Sequence, residues 1–258
     1  MKLNQIAFAL VATLGVIGAA HADVAYGQSY GGETDDGLLR LSGVAYDGSG
    51  TTSAGVDGEL LNLNASFENH LAPYATIDGN DVYHFAGSEL AWIPFDHTGL
   101  GVWDFKQVGD ADVWFGNWAT EVGTTGAADS STYTVFYTGQ DADTAISSAN
   151  YGVQANYSVS GLNNGDYYSG TYVANFGADG NTAGTLTGSL TDGTSTFTLS
   201  NTAINTDATI SGTGAWTGGK IVSGGDVSGQ FFNTQAQLAG IATFTDRQYD
   251  ISFGGVRQ

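Results

Sequence analysis

The chain has 258 residues, of which 26 are acidic, 6 are basic and none is cysteine, giving a formal charge of −20 at pH 7. Without cysteine it holds no disulfide, thiolate metal site or thiol nucleophile. Six dispersed cations cannot provide the clustered phosphate contacts of a nucleic-acid binder, so that class is excluded. Hydrophobic residues make up 41% of the chain, enough to order a core despite 39 glycines.

The first 22 residues have the pattern of a secretory signal peptide. Lys2 precedes an apolar run from Ile6 to Ala20, and the segment ends in the small-x-small sequence Ala20-His21-Ala22. No later stretch approaches the roughly 18 apolar residues of a membrane-spanning helix. We therefore expect cleavage after Ala22 and a secreted, monomeric protein without stable membrane insertion.

The composition changes near residue 145, which predicts two domains, 23–145 and 146–258. The first contains four of the five tryptophans, both prolines and all three histidines that follow the leader. The second consists of short alternating segments separated by Gly, Asn and Asp. Together these patterns predict an all-β protein with one short helix or lid in its first domain.

In the second domain, period-two alternation predicts about eight strands. Over Gly184–Thr191, for example, apolar residues or glycine alternate with Thr and Ser. Turn sequences such as Asn163-Asn164-Gly165 connect the segments. We predict a closed eight-stranded antiparallel barrel in water, because one face of nearly every strand is polar where a membrane barrel needs an apolar band. A small outer-membrane barrel is the alternative.

The first domain contains short strands around one segment of a different character. Between Gly58 and Thr76, apolar residues recur near helical spacing until Pro73, which predicts a short helix or lid that carries His70. The apolar residues are Leu60, Leu61, Leu63 and Phe67, and strands are predicted over 38–45, 82–85, 101–105, 112–118 and 132–137.

Four segments in order along the chain resemble a known group of exported proteins. They are GVWDFKQVGDADVWFGNW at 101–118, YTVFYTG at 133–139, YSVSGLN at 157–163 and GTLTGSL at 184–190. Together they resemble the Slam-dependent substrates of Gram-negative bacteria, and the cysteine-free, secreted form is similar to the hemophilin-like haemophores within that group. The resemblance runs from about Arg40 to the C-terminus.

This resemblance implies a separate function for each of the two domains. The N-terminal domain would be a clamp that holds haem, and the C-terminal barrel would be recognised by a Slam-type outer-membrane translocator. A TonB-dependent outer-membrane haem receptor would then be the destination of the cargo. Relatives with the same architecture carry other cargo, so haem has to be argued from the site.

The residues of the first domain include suitable iron ligands. Haem iron takes imidazole, thiolate, thioether or phenolate. Cysteine is absent and the single methionine is the initiator, which leaves His or Tyr. We predict His84 and His70 as an axial pair on the two sides of the haem, with His97, which Asp96 could orient, as the substitute or single ligand. Each histidine could instead be an ordinary strand, surface or turn residue.

Aromatic and cationic residues near these histidines could hold the rest of a haem. Arg40 and Lys106 are the two cations of this domain and could each meet a propionate, although solvated surface charge is their commoner role. The aromatic residues could equally form core. The candidate porphyrin walls are Tyr74, Tyr83, Phe85 and Trp92, with Phe95 and Trp103 beside them.

Other functional classes have weaker support. Acidic pairs such as Asp110 and Asp112 lack the remaining ligands of a calcium-binding loop. Glu59 and Glu68 have the residue types of a glycosidase acid pair, but any acidic chain contains such pairs. No nucleophile elbow, phosphate loop or zinc-protease motif occurs, so we expect no enzyme. The main alternative to a haemophore is a Slam-type adhesin or host-factor binder without haem.

Overall fold

The computed structural model describes residues 23–30, 41–42, 53–58, 63–90 and 98–258. Strands dominate throughout, as predicted, and they form one six-stranded sheet, one closed barrel and one three-stranded sheet. Among the described residues no helix is long and apolar enough to cross a membrane. The proposed signal peptide, residues 1–22, lies outside the described residues.

The six-stranded sheet is antiparallel and belongs to the N-terminal half of the chain. Its strand order is β1-β9-β8-β7-β6-β5, so consecutive strands lie side by side except for β1, which pairs with β9. The four strands predicted between residues 82 and 137 are confirmed with shifts of one or two residues. The strands are β1 (Ala25–Gln28), β5 (Thr76–Ile77), β6 (Tyr83–Ala86), β7 (Val102–Gln107), β8 (Val113–Ala119) and β9 (Thr134–Gly139).

The segment that the sequence predicted as a helix or lid contains one strand of a small sheet and a helical turn. The sheet consists of β2 (Leu41–Ser42), β3 (Gly55–Gly58) and β4 (Leu63–Ser66). Leu63 therefore lies in a strand, and the prediction that it shares a helix with Phe67 is wrong. A π-helical turn over Phe67–Leu71 and a 3-10 turn over Ala72–Tyr74 follow. Leu63 lies in a strand because β4 pairs with β3, and the periodicity of a single segment does not show such pairing.

The barrel is closed, antiparallel and eight-stranded, as predicted. Its last strand pairs with its first, because β17 lies in register with β10 from Tyr157 to Leu162. The predicted range Gly184–Thr191 is strand β12. The strands are β10 (Gln154–Asn163), β11 (Asp166–Asn175), β12, β13 (Ser195–Ile204), β14 (Thr209–Gly218), β15 (Val222–Phe232), β16 (Gln237–Thr243) and β17 (Ile251–Arg257).

The inside of the barrel is filled with side chains. Tyr157, Tyr172 and Trp216 are at most 1% exposed, and Tyr168 packs edge-on against Trp216 with ring centroids 5.0 Å apart. On β12 the leucines are buried, whereas the threonines between them are exposed. The inward and outward faces are therefore those that the alternation predicted, with hydroxyl side chains outside on this strand.

The two faces of the six-stranded sheet have different neighbours. On one face, Phe67 packs against the rings of Trp103, Phe105, Trp114 and Phe136. The other face packs on the barrel through a cluster that joins sheet and barrel side chains. That cluster includes Val113, Phe115, Val135 and Tyr137 of the sheet with Leu162, Phe232, Ala239 and Ile241 of the barrel. We call these the aromatic face and the barrel face.

Candidate functional site

His84 lies on β6, and a carboxylate from the neighbouring strand holds its imidazole. The register places His84 opposite Asp104 of β7, and His84 Nδ1 is 2.7 Å from Asp104 Oδ1. Because a carboxylate only accepts hydrogen bonds, Nδ1 carries a proton and donates it. In the neutral ring Nε2 then has the free lone pair, and the side chain is 39% exposed.

A second carboxylate lies near the free nitrogen. Asp78 Oδ2 is 3.7 Å from His84 Nε2. Burial opposes the charge of Asp78, but hydrogen bonds from the N–H groups of Val82 and Asn80 outweigh it and hold the pKa of this carboxyl below its usual value. Asp78 therefore stays ionised in neutral solution, and the Nε2 edge faces an anionic turn.

Lys106 lies on the barrel face with His84. It is two residues from Asp104 on β7, so the two side chains point the same way. Its Nζ donates a 2.5 Å hydrogen bond to the carbonyl of Asn80 and is 3.8 Å from Asp81 Oδ2. Burial lowers the pKa of Lys106, and the charge of Asp81 opposes that shift. The fold thus brings a predicted propionate partner to the face that carries His84.

His70 is exposed on the π-helical turn and has the opposite hydrogen-bonding arrangement. Its Nδ1 accepts a 3.1 Å hydrogen bond from the backbone N–H of Ser66 and is 3.0 Å from Ser66 Oγ. A nitrogen that accepts from a backbone N–H cannot also carry a proton in that direction, so the neutral ring is protonated on Nε2. In this arrangement neither ring nitrogen of His70 offers a free lone pair.

The fold places His70 and His84 on different sides of the six-stranded sheet. The turn that carries His70 packs on the aromatic face through Phe67. His84 instead shares the barrel face with Asp104, and the prediction that it points away from Tyr83 and Phe85 agrees with this register. The two imidazoles predicted as an axial pair therefore start from opposite faces.

The predicted porphyrin walls divide into buried and exposed residues. Phe85 and Trp103 are 3% and 5% exposed and form core on the aromatic face. Tyr83 is half-buried, and its ring stacks on Phe105 with centroids 5.1 Å apart. Tyr74 is 48% exposed, and Ile77, on the edge strand β5 beside β6, is 57% exposed. His97, Trp92, Phe95 and Arg40 lie outside the described residues.

Asp104 and Ile77 are site residues that the sequence analysis missed. Asp104 stands between Trp103 and Phe105 in a strand, and a carboxylate at such a position is a recognisable signal because charged groups are rarely buried without a partner. Ile77 belongs to a two-residue strand, too short for alternation to reveal. Within the described part, no group of three or more His, Asp or Glu side chains forms a cation site.

The fold and this site define a class of protein: an all-β binding protein in which a sheet domain presents an imidazole and a barrel domain supports it. Family comparison makes the assignment specific. Residues 19–132 match the HphA N-terminal heme-binding domain, and residues 144–257 match the HphA C-terminal domain. The chain belongs to the HphA, or hemophilin, family, and it binds haem. The predicted family and cofactor are thereby confirmed.

Several transferrin binding proteins B are among the solved structures to which the chain is similar. A double mutant from Haemophilus parasuis Hp5 is 15% identical, with 61% of this chain and 34% of that chain covered and a TM-score of 0.40. The isotype 1 protein from serogroup B Neisseria meningitidis is 16% identical over 61% and 33%, with a TM-score of 0.38. The chain thus spans about a third of the length of these two. A mutant from Actinobacillus pleuropneumoniae H49 is 11% identical over 85% and 98%, with a TM-score of 0.43.

Proposed function

We propose that this protein is a secreted haemophore that takes up haem through imidazole ligation and delivers it to an outer-membrane receptor. The observation that carries the proposal is the hydrogen bond between His84 and Asp104, in a domain of the heme-binding type. Histidines that ligate metals usually donate their second ring N–H to a carboxylate or carbonyl. His84 already has this arrangement, with its other nitrogen free and partly exposed.

The residues around His84 suit the remaining parts of a haem. The iron of haem takes an imidazole nitrogen as axial ligand, and its two propionates carry negative charge. Ile77 and Tyr74 offer exposed apolar and aromatic surface at the sheet edge beside β6, and Ile77 pairs with Tyr83 and so lies on the face opposite His84. Lys106 lies on the same face as His84 and is a suitable propionate partner once Asn80 and Asp81 release it. Asp78 must move aside for Nε2 to reach the iron.

We assign the second axial position to His97. His97 lies outside the described residues and would be the further imidazole of this domain available to the iron. His70 is the less suitable candidate, because either its Nδ1 would first have to lose the hydrogen bond from the Ser66 N–H or the proton would have to leave Nε2. Trp92 and Arg40 remain proposed contacts to the porphyrin and a propionate.

The proposal also includes a route for export of the protein and delivery of its haem. The protein is proposed to leave the cell through a Slam-type translocator that recognises the barrel, and to dock on a TonB-dependent receptor that accepts the haem. The leader-like first 22 residues and membership of the hemophilin family support this route. The excess of acidic residues keeps a free carrier soluble.

Titration of the mature protein with haemin tests the binding step. We expect a red-shifted Soret band that saturates at one haem per chain, in protein recovered from culture medium without detergent. An unchanged haemin spectrum would contradict haem capture. Growth of a haem-requiring strain on the loaded protein, lost when TonB-dependent uptake is disabled, tests delivery. Equal growth in both strains would contradict the proposed receptor.

A further inference from the structure

A small cavity lies where the barrel face of the sheet meets the barrel. Its volume is about 120 Å³, and the barrel closes one side of it with the turn Asn164-Gly165 between β10 and β11. The Asn164 N–H donates a hydrogen bond to the hydroxyl of Tyr133, which fixes this turn over the sheet. The sheet side is lined by Val102, Asp104, Asn117, Ala119 and Tyr133.

Asn117 has an unmatched polar group in this cavity. The residue is 4% exposed, and its Nδ2 has no hydrogen-bond partner among the described residues. A buried amide without a partner is unfavourable, and proteins usually satisfy such a group with ordered water. The cavity is large enough to hold ordered water. Asp104, Asn117 and Tyr133 supply polar groups to a lining that is otherwise mostly apolar.

The same cavity touches the carboxylate that holds His84. Strand register places His84, Asp104 and Asn117 side by side on β6, β7 and β8, on one face of the sheet. Asp104 accepts from His84 through one oxygen and also lines the cavity. A row of polar groups therefore runs from the partly exposed His84, one strand in from the sheet edge, to the junction with the barrel, where it ends in the space that Asn117 shares with Asp104.

We propose that Asp104 is a positioning residue for haem ligation, held in place by water that Asn117 retains in the junction cavity. Asp104 keeps the proton of the neutral imidazole on Nδ1 and so keeps the Nε2 lone pair directed outwards. A water molecule that donates a hydrogen bond to the second carboxylate oxygen of Asp104 and accepts one from Asn117 Nδ2 fixes the rotamer of Asp104. The inference rests on the proposed function, since it assigns a role to the ligand named there.

The tautomer of His84 in haem-free protein gives a test that needs no haem. Long-range ¹H–¹⁵N correlation spectra at about pH 9, well above the usual imidazole pKa of about 6.5, report which nitrogen carries the proton. We expect the Nδ1–H form in the wild type and in Asp104→Asn, whose amide oxygen still accepts. Asp104→Leu should shift the population towards Nε2–H. A wild-type His84 in the Nε2–H form, or no shift in Asp104→Leu, would overturn the proposal.

Haem dissociation provides the second readout. Loss of such an outer hydrogen bond typically costs 10–100-fold in metal affinity, so Asp104→Leu should release haem about 10–100-fold faster. Asn117→Leu, which fills the cavity and contacts no haem, should release it several-fold faster. Asp226→Leu removes an exposed carboxylate on barrel strand β15 and is the control, with an unchanged rate. Equal rates in all four proteins would overturn the role of Asp104.

The two parts of the account fail in different ways. If the wild type binds no haemin at all, the proposed function fails, whereas the tautomer experiment still tests the hydrogen bond that Asp104 makes. If the wild type binds haemin and His84→Ala leaves its spectrum unchanged, haem capture stands and the positioning role of Asp104 is overturned. In a His97→Ala background, which leaves one imidazole on the iron, the Fe–imidazole stretching frequency of the ferrous complex should fall in Asp104→Leu, and this separates loss of the hydrogen bond from general loosening.

Discussion

His84 donates to Asp104 across the pair β6 and β7 over a distance of 2.7 Å, although twenty residues separate them in the chain. Neighbouring strands alone bring the two side chains together, and alternation aims both at the barrel face. The same alternation aims Trp103 and Phe105 at the aromatic face. One short strand thus contributes to the core with every second residue and to the proposed ligand site with the residue between.

Phe67 is the centre of the aromatic face, and its truncation should be severe. The side chain is fully buried and its ring lies 5.2 to 6.0 Å from four aromatic rings. Phe67→Ala should lower the free energy of unfolding by about 3–5 kcal/mol, measured by urea denaturation. Ile77→Ala, at a side chain that is 57% exposed, should change it by no more than about 0.5 kcal/mol. A loss in Phe67→Ala no larger than in this control would contradict the packing described.

Gly116 is required because strand β7 passes very close to it. A Cβ at this position would lie 2.3 Å from the carbonyl oxygen of Asp104 and 2.8 Å from the Cα of Phe105. Gly116→Ala should therefore destabilise the fold by about 1–3 kcal/mol, seen as a lower melting temperature. Gly79→Ala is the matched control, since a Cβ there meets nothing within 4 Å, and it should leave stability unchanged or slightly raised. Equal melting temperatures would refute the close approach.

Asp250 should make stability depend on pH. The carboxyl is fully buried, and desolvation raises its pKa to about 7. The hydrogen bond from the Phe244 N–H and the charge of Arg247 lower this pKa, whereas the charge of Asp246 raises it further. The unfolded chain has a value of about 3.9. Between these pH values the folded protein binds a proton that the unfolded chain does not, so this contribution to stability is present at pH 4 and is lost as pH rises through 7.

Asp250→Asn isolates that contribution. The amide keeps an oxygen for the Phe244 N–H and has no charge to bury. The variant and the wild type should unfold with similar free energies near pH 4, and the variant should be more stable by about 2–4 kcal/mol above pH 8. Urea denaturation at several pH values measures the difference. A difference that does not change with pH would show that the carboxyl titrates normally.

Sequence patterns predicted the barrel well because its strands obey one simple rule. Over β12, leucine and threonine alternate without interruption, and the predicted and observed ranges coincide. The segment before His70 obeyed no such rule. Leu63 and Phe67 have helical spacing, but pairing of β4 with β3 takes Leu63 into a sheet and leaves only a single π-helical turn for Phe67. Local periodicity cannot weigh a partner strand that lies elsewhere in the chain.

The candidate site was only partly predictable for the same reason. Alternation alone placed His84 on the face opposite Phe85, and this is confirmed by the register. The partnership with Asp104 depends on the register in which β6 pairs with β7, and that register leaves no pattern in the sequence. The assignment of His70 and His84 to one pair depended on closeness in the chain, whereas the sheet separates them.

Absorbance spectra of the single histidine variants test the central claim most directly. His84→Ala, mixed with one equivalent of haemin, should lose the wild-type Soret position and release haem at least tenfold faster, because the prepared imidazole is gone. His70→Ala, a matched change at an exposed histidine of the same domain, should keep the wild-type spectrum. A His84→Ala protein with the wild-type spectrum and release rate would contradict the account.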